Sequence, residues 1–113
     1  MTITRIEPGP RMSEAVIHNG TLYLAGQVSK GATVTEQTNG VLAEIDKVLA
    51  KCGSDKSKIL SATIWLSDIS TFAEMNAVWD AWVDPKNPPA RATSEGKLAT
   101  PDYQVEIIIV AAQ

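Results

Sequence analysis

One cysteine and one histidine are all that 113 residues contain, and that scarcity removes whole classes of chemistry. A lone Cys52 cannot close an internal disulfide, which suits a reducing compartment. With only His18 beside it, a zinc ligand set and a histidine-dependent triad both lack their parts, and no metal site is expected. Aromatics are few at 5%, the net charge is −3, and the lysines and arginines are scattered. The basic stripe and aromatic platforms that RNA demands are therefore missing, and a nucleic-acid partner is not expected. Nothing between Met1 and Gln113 reads as a signal peptide or as an apolar stretch long enough to cross a bilayer. The cytoplasm is the expected location. There is no repeat, no low-complexity segment and no linker, so residues 1–113 read as one domain.

What is present is a regular alternation of strand and helix signals. Thr2–Ile6 reads as a short edge strand, broken by Glu7-Pro8-Gly9-Pro10. Ala15–His18 and Thr21–Ala25 flank Asn19-Gly20, the strongest short hairpin signal. Thr33-Val34-Thr35-Glu36 has capping-box spacing. Val34, Val41, Leu42, Ile45, Val48, Leu49 and Cys52 then recur at helical spacing, with Gly53 placed to end the helix. Gly40 inside it reads as a blemish of roughly 1 kcal/mol relative to Ala. Ile59–Leu66 is a strand. Thr71-Phe72-Ala73-Glu74 is a second capping box, opening a helix with Phe72, Met75, Trp79 and Trp82 as its buried stripe and Asp84-Pro85 as its stop. Arg91–Glu95 and Gln104–Ala112 are the last strands. The fold class is α+β: a mixed sheet of about six strands with two helices, which can cover only one face.

Two features carry chemistry. Pro88 and Pro89 stiffen the approach to Arg91, whose guanidinium can fork a carboxylate bidentately. The last strand carries one carboxylate, Glu106, in an otherwise apolar run, and a carboxylate so placed holds its proton more tightly. A small acidic substrate held by Arg91, with Glu106 handling a proton, is the expectation. Along that strand Val105, Ile107, Ile109 and Ala111 point one way, and Ile108, Val110 and Ala112 the other. The helices hide the first set, so something outside the subunit should hide much of the second.

Leu24-Ala25-Gly26-Gln27-Val28, Gln37, Asp68-Ile69-Ser70-Thr71-Phe72, Met75-Asn76, Pro89-Ala90-Arg91 and Val105-Glu106-Ile107, in this order and spacing, resemble the RidA/YjgF family, also called the L-PSP endoribonuclease family. The resemblance covers nearly the whole chain. It implies a chorismate-mutase-like fold and a homotrimer with ligand clefts between subunits. It also implies hydrolytic deamination of 2-imino acids or their enamine tautomers to 2-keto acids and ammonia. No cofactor is implied, because an imine carbon is already electrophilic. Position by position, Arg91 falls on the family's carboxylate-binding arginine and Glu106 on its water- or proton-handling carboxylate. Ala25 and Gly26 lie beside the pocket, where small residues admit a close approach, and Asn76 falls on a family asparagine near the cleft. Two positions depart. Met12 replaces a pocket tyrosine common in the family, and Thr93 replaces a common cysteine two places after the arginine, offering a hydroxyl or its backbone amide instead. Arg11 either adds a second cation to the pocket or lies in solvent. The alternatives to a deaminase are an endoribonuclease and a non-catalytic trimer that binds a small metabolite.

Overall fold

Asn19 and Gly20 both take positive φ, 53° and 74°, in the computed structural model, which describes residues 2–113. That is the twist a two-residue hairpin needs, and it pairs β2 (Ala15–His18) with β3 (Thr21–Leu24). β1 (Ile3–Ile6) joins the outer side of β2, and Thr2 lies outside the strand. β4 (Ile59–Leu66), β5 (Ala90–Glu95) and β6 (Val105–Ala112) complete one sheet in the order β1-β2-β3-β6-β4-β5. Every pairing is antiparallel except β4 with β5, the pair that α2 (Phe72–Trp82) connects. Ala25 and Gln104, expected inside strands, fall one residue beyond β3 and before β6, while β5 gains Ala90.

α1 (Val34–Lys51) starts at Thr33, whose hydroxyl accepts from the Glu36 amide at 3.1 Å. Glu36 reaches past Thr33 and accepts from the Ala32 amide at 2.8 Å. The helix ends on Gly53, φ 75°, with Gly53 N donating to Ala50 O and Ser54 N to Leu49 O, closing the last turn. Gly40 is no blemish. A Cβ there would collide with Ser29, so the residue lets the β3–α1 connection lie against the helix. The second capping box does not form. Thr71 makes no side-chain cap, and its hydroxyl donates back to Asp68 O. Glu74 instead accepts from both the amide (2.8 Å) and the hydroxyl (3.0 Å) of Thr35, capping the other helix.

Both helices lie on one face of the sheet. Beneath them Leu22, Leu24, Ala62, Ile64, Leu66, Val105, Ile107, Ile109 and Ala111 are buried against Val41, Leu42, Ile45, Val48, Leu49 and Met75. Full burial of each Leu, Ile or Val side chain is worth roughly 1.5–3 kcal/mol, so alternation along β4 and β6 fixes which face is inward. Phe72, expected in the buried stripe of α2, is 41% exposed. The opposite sheet face carries no helix. Tyr23, Val110, Thr63, Ile108, Trp65 and Glu106 lie there in register.

Candidate active site

Arg91 is fixed by its strand partner. In the parallel ladder Ala62 faces Arg91 and Ile64 faces Thr93. Ala62 and Ile64 are buried under the helices, so Arg91 and Thr93 point to the helix side of the sheet. There the guanidinium carbon lies 5.7 Å from the Phe72 ring centroid and 5.4 Å from that of Trp79. Asn76 follows Phe72 by four residues and precedes Trp79 by three, so it shares their stripe of α2 and faces the same strand. Two side-chain oxygens in this neighbourhood, Asn76 Oδ1 and Thr93 Oγ1, are buried without a hydrogen-bond partner. A buried oxygen left so costs roughly 1–3 kcal/mol, which a ligand recovers by supplying a donor to Asn76 Oδ1 and an acceptor to the Thr93 hydroxyl. Among the described residues the ion pairs are Lys47–Glu44 and Lys51–Glu7, so Arg91 has no carboxylate of its own.

Glu106 occupies the other face. Its partner on β4 is Trp65, 36% exposed, which itself rests on Gly96. Gly26 provides the room for the carboxylate: a Cβ there would stand 2.5 Å from Glu106 Oε2. The Ala25–Gln27 segment is held in place by a bridge in which Gln27 and Ile107 exchange backbone bonds of 2.9 and 3.1 Å. The Gln27 side-chain Nε2 donates to Glu14 Oε1 (3.1 Å) and to Ala25 O (3.0 Å). Gln37, buried in α1, donates to Gly31 O and Asp102 O and accepts from the Gln104 amide, tying down the segment that leads into β6. The resemblance marks Gln27 and Gln37 but gives them no task; Glu14 carries no sequence signal. All three position backbone beside Glu106.

Arg91 and Glu106 are not brought together within one subunit. They lie on opposite faces, on strands separated by β4, and three residues apart along the register. Two strand spacings and three residue steps, roughly 10 Å each way, are too far for one small acid to bridge. Asn76 and Thr93 sit with Arg91; Ala25 and Gly26 sit with Glu106. Arg11 and Met12 are exposed on the β1–β2 connection, toward the opposite edge of the sheet from β5. That connection ends beside Ala25, whose amide donates to Glu14 O at 2.9 Å, so it flanks the Glu106 side.

The arrangement defines a class: a small α+β protein with a one-sided six-stranded sheet, an unpaired arginine beneath a helix and a carboxylate on the bare face. The family model for endoribonuclease L-PSP matches residues 2–113. The chain is 53% identical to a RutC family protein of Haemophilus influenzae, over 98% of each chain, and 52% identical to the RutC family protein YoaB of Escherichia coli, over 99% of each. The crystal structure of NMB1025, a member of the YjgF protein family from Neisseria meningitidis, superposes with a TM-score of 0.98 at 51% identity, covering 100% of this chain and 96% of that one. This chain belongs to the L-PSP family, whose members also carry the names RutC and YjgF.

Proposed function

We propose that this protein hydrolyses reactive 2-imino acids and their enamine tautomers in the cytoplasm, acting as a homotrimer without a cofactor. Arg91 grips the substrate carboxylate through its fork. Glu106 orients a water molecule and takes its proton as the water oxygen bonds to the imine carbon. The same group returns that proton to nitrogen, giving a carbinolamine. It then carries the carbinolamine hydroxyl proton to nitrogen as the carbon–nitrogen bond breaks and the carbonyl forms, and ammonia leaves a 2-keto acid. Asn76 Oδ1 accepts from the substrate nitrogen, and the Thr93 hydroxyl bonds to the carboxylate.

The observation that carries this reading is the unpaired guanidinium of Arg91 beside two buried oxygens without partners. An arginine kept free of the chain's own carboxylates in such a setting suits an anionic ligand. The opposed placement of Glu106 supports a site completed between subunits: one protomer offers the arginine side, its neighbour the carboxylate side. The bare apolar sheet face supplies the surface for that assembly.

The test couples a dehydratase that generates 2-aminoacrylate to this protein and times the release of pyruvate and ammonia with and without it. Faster release supports the deaminase. An unchanged rate, with 2-keto acid still bound, would favour a binding module, the reading suggested by exposed Met12 in place of the family tyrosine.

A further inference from the structure

A chain of π and cationic groups runs along α2. The Arg91 guanidinium carbon lies over both the Phe72 ring and the Trp79 ring, 5.7 and 5.4 Å from their centroids. The Trp79 ring packs on Trp82 at 5.4 Å between centroids and 53° between planes. Lys56 Nζ stands 5.4 Å over the Trp82 ring, and the indole N–H of Trp82 donates to Asp46 Oδ2 at 3.1 Å. Trp79, 5% exposed, is thus a braced wall tied back to α1, whereas Phe72, 41% exposed, is an outer wall. Phe72 has little packing reason to be aromatic at that exposure; its contact with Arg91 supplies one.

We infer that Phe72 and Trp79 are positioning residues that clamp Arg91 and leave its donors free for a carboxylate arriving in the guanidinium plane. The inference rests on the carboxylate-binding role proposed above. All five N–H donors of a guanidinium lie in its plane, and its faces accept only π or apolar partners. In the clamp the rings therefore take up faces of the guanidinium, surfaces that a carboxylate does not need. An arginine without a salt bridge would otherwise sample many rotamers, and that freedom would be lost on each binding event. Holding it beforehand strengthens binding without adding a contact to the ligand.

Phe72→Leu and Phe72→Tyr are the variants, with Trp79→Leu as a second site. Two readouts apply: the side-chain Nε–H resonance of Arg91 in the free protein, assigned by its loss in Arg91→Lys, and titration with pyruvate. In Phe72→Leu the resonance should move toward that of a free arginine, and pyruvate affinity should fall about threefold to fivefold, the size of a partly exposed cation–π contact. KM should rise by a similar factor with kcat within about twofold. Phe72→Tyr, which keeps the ring face, should restore both readouts. An unmoved Arg91 resonance and unchanged affinity in Phe72→Leu, or a Tyr variant as weak as the Leu variant, would overturn the clamp. Because the resonance is read without substrate, the clamp stands or falls even if the protein proves inactive on imines.

Discussion

At the scale of single residues, the chemistry depends on shape as much as on charge. Arg91→Lys keeps a cation but loses the planar fork and the flat group that lies over the Phe72 and Trp79 rings. Charge-assisted hydrogen bonds are worth roughly 1.5–3 kcal/mol each, so kcat/KM for imine hydrolysis should fall at least about tenfold. Wild-type hydrolysis by a folded Arg91→Ala protein would remove the proposed role. Glu106→Gln preserves size and abolishes titration. Steady-state kinetics beside pyruvate titration should show kcat dropping more than affinity. Were affinity to collapse while turnover per occupied site held, Glu106 would only shape the pocket. Both side chains were legible in the sequence as types: an arginine after two prolines and one acid in an apolar strand. Their separation was not, because the face a strand residue takes depends on its ladder partners, here Ala62 for Arg91 and Trp65 for Glu106.

At the scale of elements, the helices are tied to each other at their N-terminal ends. Glu74 leaves its own helix uncapped to hold Thr35 in the first turn of α1. Glu74→Ala should therefore act on α1, costing about 1 kcal/mol in the manner of a lost N-cap. For a chain of this size the melting temperature should drop by roughly 4–8 °C in a thermal scan. Glu36→Ala should cost a similar amount through the Ala32 amide, and as both act on the same turn of α1 the two losses should couple in a double-mutant cycle. At the other end of α1, burial pushes the Cys52 thiol above its ordinary value. The folded protein then holds that proton more tightly than the unfolded chain, and the associated stability is complete below the ordinary thiol range. It is lost as pH rises through the folded value. Denaturant titrations above about pH 9 should show this decline, and Cys52→Ala should flatten it. Capping-box spacing pointed to both helix starts but not to which helix Glu74 serves. A spacing rule sees one segment, and this contact joins residues 39 positions apart.

At the scale of the whole molecule, the sheet is finished on one side only. Ile3, Tyr23 and Trp65 are 46%, 49% and 36% exposed on the bare face, with Val110 and Ile108 between them in register. Soluble monomers rarely leave contiguous apolar surface of this kind open, and the proposed closed ring of like subunits would cover it. Val110→Asp places a charge in the middle of that face, away from both Arg91 and the packed core. If the proposed trimer forms, light scattering should report its loss and the coupled assay loss of activity together, because one subunit cannot bring its own arginine and carboxylate to one ligand. A wild-type protein monomeric at working concentration, or a monomeric variant at full activity, would defeat the proposed assembly.

The sequence by itself determined the order of elements, the hairpin at Asn19-Gly20, the end of α1 at Gly53 and the inward set on β6. Each of these follows from local dihedral preference or from a period of two or 3.6 residues, which neighbours along the chain fully express. Tertiary structure alone decided that Gly40 makes room for Ser29 and that Glu74 caps the other helix. It also decided that Gly26 admits Glu106, that Phe72 leaves the core to lie against Arg91, and that Arg91 and Glu106 face opposite ways. These depend on contacts between segments distant in the chain, and no local preference carries information about which distant atom will fill a given space.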